Sequence, residues 1–423
     1  MSGTDGKPEI VVIGGGPGGM MAAVAAAEQG GAVTLFEKMK QPGRKMRITG
    51  KGRCNITNAA DVPEILRHIP GNGAFLNSSM RAFDNRDVMD FFEENGVPVK
   101  VERGQRVFPV SDKAQDCVDA MVARMHELGV TLLCGNPVRD ILTEDGRAAG
   151  VRCEDGTVRR ADAVILAVGG ASYPGTGSTG DGYRMAKALG HTVEKILPSL
   201  VPLLTEEDWV KEVQGLSLRN VRAELVVDGE KRTAEPGSEM LFTHFGVSGP
   251  IVLSMSREAA RLLDEGHFVE LEIDLKPGLS PEKLDARIQR DFEKYQRKQL
   301  GNALVDLLPH KLIPVVLDNA YLQPGTPVNQ VTVEERHRLG DVLKHLCLTI
   351  VGTRPIAEAI VTAGGVSVKE INPKTMESKL VPGLYFAGEV TDVDGFTGGY
   401  NLQAAFSMGH AAGQWSVWNS GES

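Results

Sequence analysis

A glycine-rich segment near the N-terminus could bind a phosphate group. Its pattern, G-x-G-x-x-G, is formed by Gly14, Gly16 and Gly19, with Pro17 and Gly18 inside it. The apolar run 10–13 before it predicts a buried parallel strand, and the alanine-rich run 18–29 predicts a helix. In such a unit the glycines permit a tight turn, close approach of the backbone to a pyrophosphate, and close packing of helix on strand. Free N–H groups and the helix dipole then attract phosphate, so the segment predicts a dinucleotide site.

A carboxylate follows this motif at the distance that ribose binding requires. The run 32–36 predicts a second strand, and Glu37 follows it, 23 residues after Gly14. A carboxylate there accepts hydrogen bonds from ribose hydroxyls and disfavours a 2′-phosphate. Strand, glycine turn, helix and acid occur in order, which favours a true nucleotide site over a chance match.

Three later segments favour FAD over NAD as the dinucleotide. The predicted strand 164–168 ends in small residues, and the cofactor-binding candidates there are Ala167, Gly169 and Gly170. The run 384–387 is a strand that ends at Gly388 and Glu389, an acid suited to a ribityl chain. A helix over 402–412 is preceded by Gly398, Gly399, Tyr400 and Asn401 and starts at Leu402. Its N-terminus could face the flavin edge on which negative charge grows during reduction.

A second G-x-G-x-x-G pattern is formed by Gly175, Gly177 and Gly180. It could mark a separate NAD(P)H site. However, Tyr173 and Pro174 interrupt any strand-to-glycine turn, and no clean βαβ unit follows. A loop that covers the flavin or the substrate is the favoured interpretation.

A basic segment over residues 43–58 follows the ribose-binding strand and is interpreted as a long loop. Its cations could neutralise phosphate or hold the electron-rich flavin, although the alternative is a solvated basic loop. The cofactor-binding candidates here are Lys38, Arg44, Lys45, Gly50, Arg53, Cys54 and Asn55, and Val138 is a further one. A redox role for Cys54 is not favoured, because no second cysteine is close to it in sequence.

Three side chains are candidates for contact with the substrate. His244 lies in a segment rich in Gly and Pro that suggests a tight loop, and Tyr173 and Tyr400 lie beside the glycine pairs. A lone histidine is more often a packing or capping residue than a catalyst, so His244 carries both interpretations. We expect no metal ligands.

A charged helix is expected over residues 281–299. Basic residues recur at helical intervals from Arg287 to Lys298, with Tyr295 among them. Such a face can follow a phosphate backbone. Acidic residues at 291 and 293 dilute it, so a solvated helix face is the preferred interpretation.

Composition restricts the class of protein. The formal net charge of −9 does not favour nucleic acid or an anionic membrane as a partner for the surface as a whole. The five cysteines form no CxxC pair, which argues against a disulfide framework or structural zinc and fits the cytoplasm. No apolar stretch reaches the roughly 18–20 residues needed to span a bilayer. The first apolar run is too short for a signal peptide.

The elements that would position these residues divide the 423-residue chain into three parts. Nucleotide-binding sequence occupies 1–194 and returns at 351–423, so one FAD domain is completed by both termini. The insertion between them is β-rich over 195–278 and helical over 279–350. The predicted fold class is therefore α/β, with a Rossmann-type domain and an inserted domain.

Four long segments make the chain resemble a known family. They are GRKMRITGKGRCNITN at 43–58, GGASYPGTGSTGDGYRMAKALGH at 169–191, MLFTHFGVSGPIVLS at 240–254, and 361–413, which contains GLYFAGEVTDVDGFTGGYNLQ. These segments resemble the BaiN/RdsA family of NAD(P)/FAD-dependent oxidoreductases, also described as aminoacetone oxidase-like flavoproteins. The resemblance implies a β-barrel-like part in the insertion and noncovalent FAD, with NAD(P)H as a candidate electron donor.

The resemblance leaves the reaction open between three hypotheses. The first is reduction of an activated C=C bond, with a uridine of ribosomal RNA preferred over a small unsaturated molecule. The second is oxidation of a small amine such as aminoacetone, with release of hydrogen peroxide. The third is a non-catalytic FAD-bound assembly protein. Neither the oligomeric state nor the choice between NADH and NADPH follows from the sequence.

Overall fold

The computed structural model describes residues 6–420, apart from the side chains of residues 232–238. The chain forms two compact units. We call Pro198–Pro355 the barrel unit, and the described residues before and after it the sheet unit. The sequence analysis placed the insertion at 195–350.

The strands are β1 (Glu9–Ile13), β2 (Ala32–Glu37), β3 (Thr57–Asn58), β4 (Val99–Glu102), β5 (Arg106–Pro109), β6 (Thr131–Cys134), β7 (Val138–Glu144), β8 (Arg147–Cys153), β9 (Val158–Arg160), β10 (Ala163–Leu166), β11 (Val193–Ser199), β12 (Leu203–Thr205), β13 (Ser217–Val227), β14 (Glu230–Thr243), β15 (Gly246–Ser248), β16 (Val269–Asp274), β17 (Leu346–Thr353), β18 (Val361–Val366) and β19 (Leu384–Phe386). The helices are α1 (Pro17–Glu28), α2 (Arg44–Ile48), α3 (Val62–Arg67), α4 (Asn77–Ala82), α5 (Asn85–Glu94), α6 (Ala114–Glu127), α7 (Asp181–Ala188), α8 (Pro250–Asp264), α9 (Pro281–Lys294), α10 (Leu300–Ala303), α11 (Ile313–Asn319), α12 (Val333–Lys344) and α13 (Tyr400–Trp418). None of these helices is long and apolar enough to cross a membrane.

A five-stranded parallel sheet organises the sheet unit. Its strand order is β19-β10-β1-β2-β6. The strands are short apolar runs, and β10 and β19 are buried along their whole length, as expected for a parallel sheet covered on both faces. The carboxyl ends of these strands lie at one edge, where ligands bind in open α/β sheets.

The two ends of the chain meet where α1 and α13 pack together. A Cβ atom at Gly409 would lie 2.2 Å from the carbonyl oxygen of Gly18, and one at Gly413 would lie 2.3 Å from that of Ala22. Only glycine permits this approach of the two backbones. The α/β fold completed by both termini is thereby confirmed.

The barrel unit has its own core. Six antiparallel strands close in the order β12-β15-β14-β13-β16-β17, and α8–α12 belong to the same unit. Alternate residues of β16 are buried, which is the pattern of a strand with one face inward. Ser280 caps α9, and Thr332 with Glu335 forms a capping box on α12. The predicted barrel-like insertion is confirmed.

Three predicted element bounds are wrong. Residues 43–58 are not one long loop: Gly43 adopts a left-handed conformation and α2 follows it, because Arg, Lys and Met, which fill residues 44–47, are good helix formers. The helix expected over 281–299 ends at Lys294, before a turn in which the Lys298 N–H donates to the carbonyl of Tyr295. The helix expected over 402–412 is longer at both ends, because α13 spans Tyr400–Trp418.

Candidate functional site

The first glycine motif lies between β1 and α1, as predicted. The N–H of Gly14 donates to the Phe36 carbonyl at 2.7 Å, which ties the turn to β2. Gly14 has φ of 104°, and a Cβ atom there would lie 2.5 Å from the Ala167 carbonyl oxygen. A Cβ at Gly19 would lie 1.9 Å from the Gly14 carbonyl oxygen. Gly16 is the N-cap of α1 and has no side chain there, so the helix N-terminus is open to an anion.

Glu37 ends β2 beside this turn. One carboxylate oxygen accepts from the Gly15 N–H and the other from the Met39 N–H, each at 2.7 Å. Only 9% of the residue surface is exposed. Each oxygen keeps a second lone pair, so the acid is fixed in place and can still accept hydroxyl groups of a ribose.

An ion pair joins the basic segment to the C-terminal part of the site. The Lys45 ammonium donates to Glu389 at 2.5 Å and to the Ser172 hydroxyl at 2.7 Å. Burial opposes ionisation of Glu389, but the Lys45 charge and hydrogen bonds from Lys45, Thr362 and Ser172 outweigh it and hold the pKa of Glu389 below its usual range. Glu389 is therefore ionised at neutral pH, and the ion pair with Lys45 holds both side chains in place.

Residues 49–55 form a strained loop after α2. Gly50 and Lys51 both have left-handed backbone angles, with φ of 57° and 61°. The side-chain oxygen of Asn55 is buried and has no hydrogen-bond partner among the described residues. A buried orphan acceptor beside strained backbone suits a loop that closes on a polar ligand.

Arg53 and Cys54 are engaged within the protein. Arg53 forms ion pairs with Glu102 and Asp112, and its guanidinium lies 4.2 Å from the centre of the Phe108 ring. These partners reduce the support for Arg53 as a phosphate ligand. Cys54 is fully buried. Although no cysteine is close to it in sequence, Cys117 adjoins it in the fold, and this contact, followed by burial, raises the pKa of Cys117 far above its usual range.

The remaining candidates of the basic segment differ in environment. Arg44 is exposed at the start of α2. The side chain of Val138 is buried in an apolar cluster with Val151 and Phe36, so only its backbone is available to a cofactor. Lys38 donates to Asp181 at 2.6 Å and to Thr179, both in the segment around the second glycine motif.

The second glycine motif does not form a strand-to-helix turn of the first kind. Its residues lie in a short 3₁₀ turn, Pro174–Thr176, and the loop leading to α7. A Cβ atom at Gly177 would lie 3.0 Å from the side chain of Met39. The strand after α7 is β11, which pairs with β18 outside the parallel sheet. The loop therefore packs on the segment that follows β2, and its role as a cover for the flavin or the substrate stays a prediction.

The C-terminal glycines are fixed by close approaches. Gly399 has φ of 95°, and a Cβ atom there would lie 2.3 Å from the Thr57 carbonyl oxygen. Gly388 also has a positive φ, 78°. The Asn401 side chain bonds the N–H and carbonyl of Gly395, so it shapes the loop before α13. Leu402 lies in the first turn of α13 and is partly buried.

Two of the catalytic candidates belong to the sheet unit. Tyr173 is 37% exposed, with a left-handed φ of 50°. Tyr400 is 7% exposed; its ring stacks on His68 at 4.7 Å and its hydroxyl accepts from the Asn58 amide at 3.2 Å. Tyr173 is available to a substrate, whereas Tyr400 is held inside the protein.

His244 belongs to the barrel unit. It is exposed in the hairpin between β14 and β15, where the Thr243 hydroxyl donates to the Gly246 carbonyl. Its ring meets the Phe245 ring edge-on at 4.9 Å, and the Arg354 guanidinium lies 4.8 Å from the Phe245 ring centre. Sequence reasoning did not identify Arg354, which lies 110 residues after His244.

The basic face of α9 is largely neutralised. Arg287 pairs with Asp291, and Lys294 pairs with Asp306. Arg290 and Arg297 are exposed and have no acidic partner among the described side chains. The remaining positive face is therefore smaller than the sequence implies.

Sequence reasoning also missed Ser172, Thr362 and Asn58. Ser172 follows the predicted pair Gly169 and Gly170 by two residues, and this proximity was its only signal. A Cβ atom at Gly170 would lie 2.4 Å from the Thr362 hydroxyl and 2.8 Å from Glu389, so the glycine makes room for this network.

These residues fit FAD. The glycine turn, the open N-terminus of α1 and Glu37 supply what a pyrophosphate and a ribose require. The glycines after β10 and β19 lie at the same edge of the sheet. The buried side-chain oxygen of Asn55, which has no partner among the described residues, is a further acceptor for a polar ligand. The site therefore extends beyond the glycine turn, as a dinucleotide requires.

Comparison with known proteins identifies the family of this chain. The profile of the HI0933-like protein Rossmann domain matches residues 8–415. The 3-dehydro-bile acid delta(4,6)-reductase of Clostridium scindens is 32% identical over 390 residues, 90% of this chain and 92% of that protein. The ribosomal RNA dihydrouridine synthase of Escherichia coli is 31% identical over 412 residues, 96% of this chain and 97% of that protein.

Solved structures show the same fold at low identity. A quinol fumarate reductase subunit of Escherichia coli aligns with TM-score 0.52 and 16% identity, covering 98% of this chain and 70% of that chain. The 3-ketosteroid delta1-dehydrogenase of Sterolibacterium denitrificans aligns with TM-score 0.52 and 14% identity, covering 98% and 100%. The resemblance inferred from the four sequence segments is confirmed: this chain belongs to the HI0933-like Rossmann family and is an FAD-dependent oxidoreductase.

Proposed function

We propose that this oxidoreductase reduces a C=C bond conjugated to a carbonyl group, and that its substrate is a uridine in ribosomal RNA. The observation that carries the proposal is the full-length similarity to two proteins named for such reductions. Dihydrouridine is uridine with its 5,6 double bond reduced, and that bond is conjugated to a carbonyl. The RNA relative covers more of this chain than the bile acid relative does, 96% against 90%.

The protein's part in the reaction is binding and charge placement. When bound, the flavin supplies the hydride acceptor and donor chemistry. Glu37 would hold the adenosine ribose, and the N-terminus of α1 would hold the pyrophosphate. Lys45 and Glu389 would form a fixed charge pair at the opposite side of the glycine turn.

Reduction of the double bond also requires a proton at the carbon that does not receive hydride. We propose Tyr173 and His244 as the candidates, because both side chains are exposed. Tyr400 is a weaker candidate, since only 7% of the residue is exposed. General acid catalysis needs a donor within hydrogen-bond reach of the substrate.

Ribosomal RNA would require a positive surface on a chain of net charge −9. We propose the face of α9 that carries Arg290, with Arg297 just beyond the helix end, because these charges have no acidic partner among the described side chains. The double variant R290E/R297E should raise the KM for RNA at least tenfold. The salt dependence of binding should fall by a slope of about two, one for each lost phosphate contact.

Charge reversal at Lys187, an exposed lysine of α7, is the control that matches each single variant, R290E or R297E, in charge. K187E should leave the KM for RNA unchanged. A loss in K187E equal to that in R290E or in R297E would mean that net charge, and not the α9 face, sets RNA affinity. Normal RNA modification by R290E/R297E would remove this face from the proposal.

The test of the reaction itself begins with the holoenzyme under anaerobic conditions. Addition of NADH or NADPH should bleach the oxidised flavin band, and ribosomal RNA that lacks dihydrouridine should then restore it. Mass spectrometry of the RNA should show the gain of two hydrogens at uridine. The proposal would be overturned in favour of an amine oxidase by three results together. RNA would have no effect on the flavin, air would restore the colour, and the enzyme would consume aminoacetone and release peroxide.

A further inference from the structure

Three segments that are distant in sequence meet at the ammonium group of Lys45. The group donates to Glu389, 344 residues away, at 2.5 Å and to Ser172, 127 residues away, at 2.7 Å. Both members of the ion pair are largely buried, with 21% of the Lys45 side chain and 18% of the Glu389 side chain exposed. A buried pair is stable only when its remaining hydrogen-bond capacity is satisfied.

Glu389 meets that condition with protein groups. Its Oε1 accepts from the Thr362 N–H at 2.9 Å and from the Ser172 hydroxyl at 3.0 Å, while Oε2 accepts from Lys45. The acid therefore holds Lys45 in place. Oε2 keeps a second lone pair, so the expected contact of Glu389 with the ribityl chain stays a prediction.

The position of the pair within the sheet indicates which half of the dinucleotide it serves. Glu37 ends β2, on one side of β1, while Ser172 and Glu389 follow β10 and β19, on the other side. A dinucleotide whose ribose is held at Glu37 and whose pyrophosphate lies at the α1 N-terminus must extend toward β10 and β19. Lys45 follows β2 in sequence, yet its ammonium is anchored on that second side.

The phosphate groups of the dinucleotide have a binding site that does not involve Lys45. The open N-terminus of α1 and the glycine turn offer N–H donors and a favourable dipole. Lys45 differs from these groups because it carries a full positive charge and its ammonium is fixed by two protein oxygens, those of Glu389 and Ser172. A fixed charge in a partly buried site acts on a neighbour whose own charge changes, because the surroundings do not reorganise to cancel it.

We propose that Glu389 and Ser172 hold Lys45 as a fixed cation that offsets the negative charge gained by the flavin ring on reduction, so that Lys45 sets the reduction potential. The ring takes up two electrons and one proton, and so gains one net negative charge; the electrons come from a nicotinamide or a reducing dye. Glu389 and Ser172 are positioning residues. The proposal rests on the bound flavin and does not depend on the identity of the substrate.

The test is the midpoint potential of the flavin in the purified holoenzyme, measured by anaerobic equilibration with a reference dye. K45M should bind reduced flavin about tenfold less tightly relative to oxidised flavin, which lowers the potential by about 30 mV for a two-electron couple. K45R keeps the charge and should shift the affinity ratio by less than about twofold, on the same conversion. K187M, which removes an exposed lysine of α7, should leave the potential unchanged.

Substitution of Glu389 should change the midpoint potential in the direction opposite to K45M, which a general loss of structure cannot produce. E389Q removes a negative charge beside Lys45 and should raise the potential. S172A removes one hydrogen bond without a charge and should lower the potential by less than K45M does. S172A also keeps the test available if K45M fails to retain FAD.

Two results would overturn the proposal. An unchanged potential in K45M, with oxidised and reduced flavin weakened equally in a fluorescence titration, would make Lys45 a phosphate ligand. Shifts of the same sign in K45M and E389Q would mean that the pair acts only through structure. Failure of RNA reduction in the wild-type enzyme would count against the proposed substrate and would leave these potentials untouched.

Discussion

Two segments of the sheet unit share the pattern G-x-G-x-x-G and have different structures. At Gly14 and Gly19 a Cβ atom would lie 2.5 Å and 1.9 Å from backbone oxygens, so the glycines are required by contact. At Gly175 a Cβ atom would have no described atom within 4 Å, and at Gly177 it would meet only flexible side chains. The pattern alone therefore does not define a nucleotide turn. The tight crossing of a strand and a helix does.

The largest expected difference between the two motifs is in G19A and G175A. G19A places a methyl group against the Gly14 carbonyl and should destabilise the protein by about 3 kcal/mol, because the backbone of the turn must move. It should also lose bound FAD. The ratio of flavin to protein after purification and the Tm measure both effects. G175A should match the wild type in both, and equal losses in the two variants would remove the distinction.

The acids beside the two motifs provide the second comparison. E37A leaves the N–H groups of Gly15 and Met39 without their acceptor and should cost about 2 kcal/mol or more, with FAD affinity at least tenfold lower. D181A breaks the partly exposed pair with Lys38 and a hydrogen bond with Thr179, and should cost about 1 kcal/mol. Chemical denaturation and FAD titration compare the two. A larger loss of FAD affinity in D181A would indicate that the second motif binds the nucleotide.

Low pH should reduce the stability of the segment that follows the second motif. His191 follows α7; its ring is buried and bonds Ser378 at 2.9 Å and Glu370 at 3.1 Å, with the Phe386 ring edge-on. Burial lowers the pKa of His191, although Glu370 partly opposes this. The unfolded chain therefore takes up a proton below about pH 6.5 while the folded chain resists it.

The sign follows from this difference in proton uptake. Stability from His191 is complete above about pH 6.5 and falls as the pH decreases below it, by at most about 1.4 kcal/mol per pH unit. His410, whose pKa burial also lowers, adds to the slope. Between roughly pH 7 and pH 5, the interval that contains the ordinary histidine pKa, the free energy of unfolding should fall more in the wild type than in H191N. Parallel pH profiles would contradict this.

The smallest expected effect is that of G177A. Gly177 has φ of 107°, which costs an alanine about 1 kcal/mol, and the Cβ atom would press on the Met39 side chain, which can move. Flavin content should stay at the wild-type level while the Tm falls slightly. Loss of flavin in G177A would show that the second motif supports the cofactor more directly than its contacts indicate.

The fold was predictable where local pattern and burial agree. The run 10–13 and the glycine turn were assigned correctly because a buried parallel strand is a short apolar run and its turn needs glycine. The length of α13 was underestimated because the helix is buried nearly all round and so has no polar face to set a period. Helix α2 was missed because five basic and apolar residues between glycines resemble a loop.

The candidate site was predictable only in part. Glu37 follows from its distance to the glycine turn, which is a local property. The pairing of Lys45 with Glu389 spans 344 residues and depends on how β10, β19 and α2 are brought together. The burial of Tyr400 and the partners of Arg53 likewise depend on tertiary contacts that no spacing encodes.

The packing of α13 on α1 has a consequence for biosynthesis. Domains usually fold in the order in which they leave the ribosome. Here β1 and α1 emerge first, but their partners β19 and α13 are made last, after the whole of Pro198–Pro355. The barrel unit can thus fold before β1 and α1 pack against α13. Because α13 packs on α1, the cofactor site is complete only after α13 has been made, and a nascent chain stalled before residue 400 would present the glycine-lined face of α1 to chaperones.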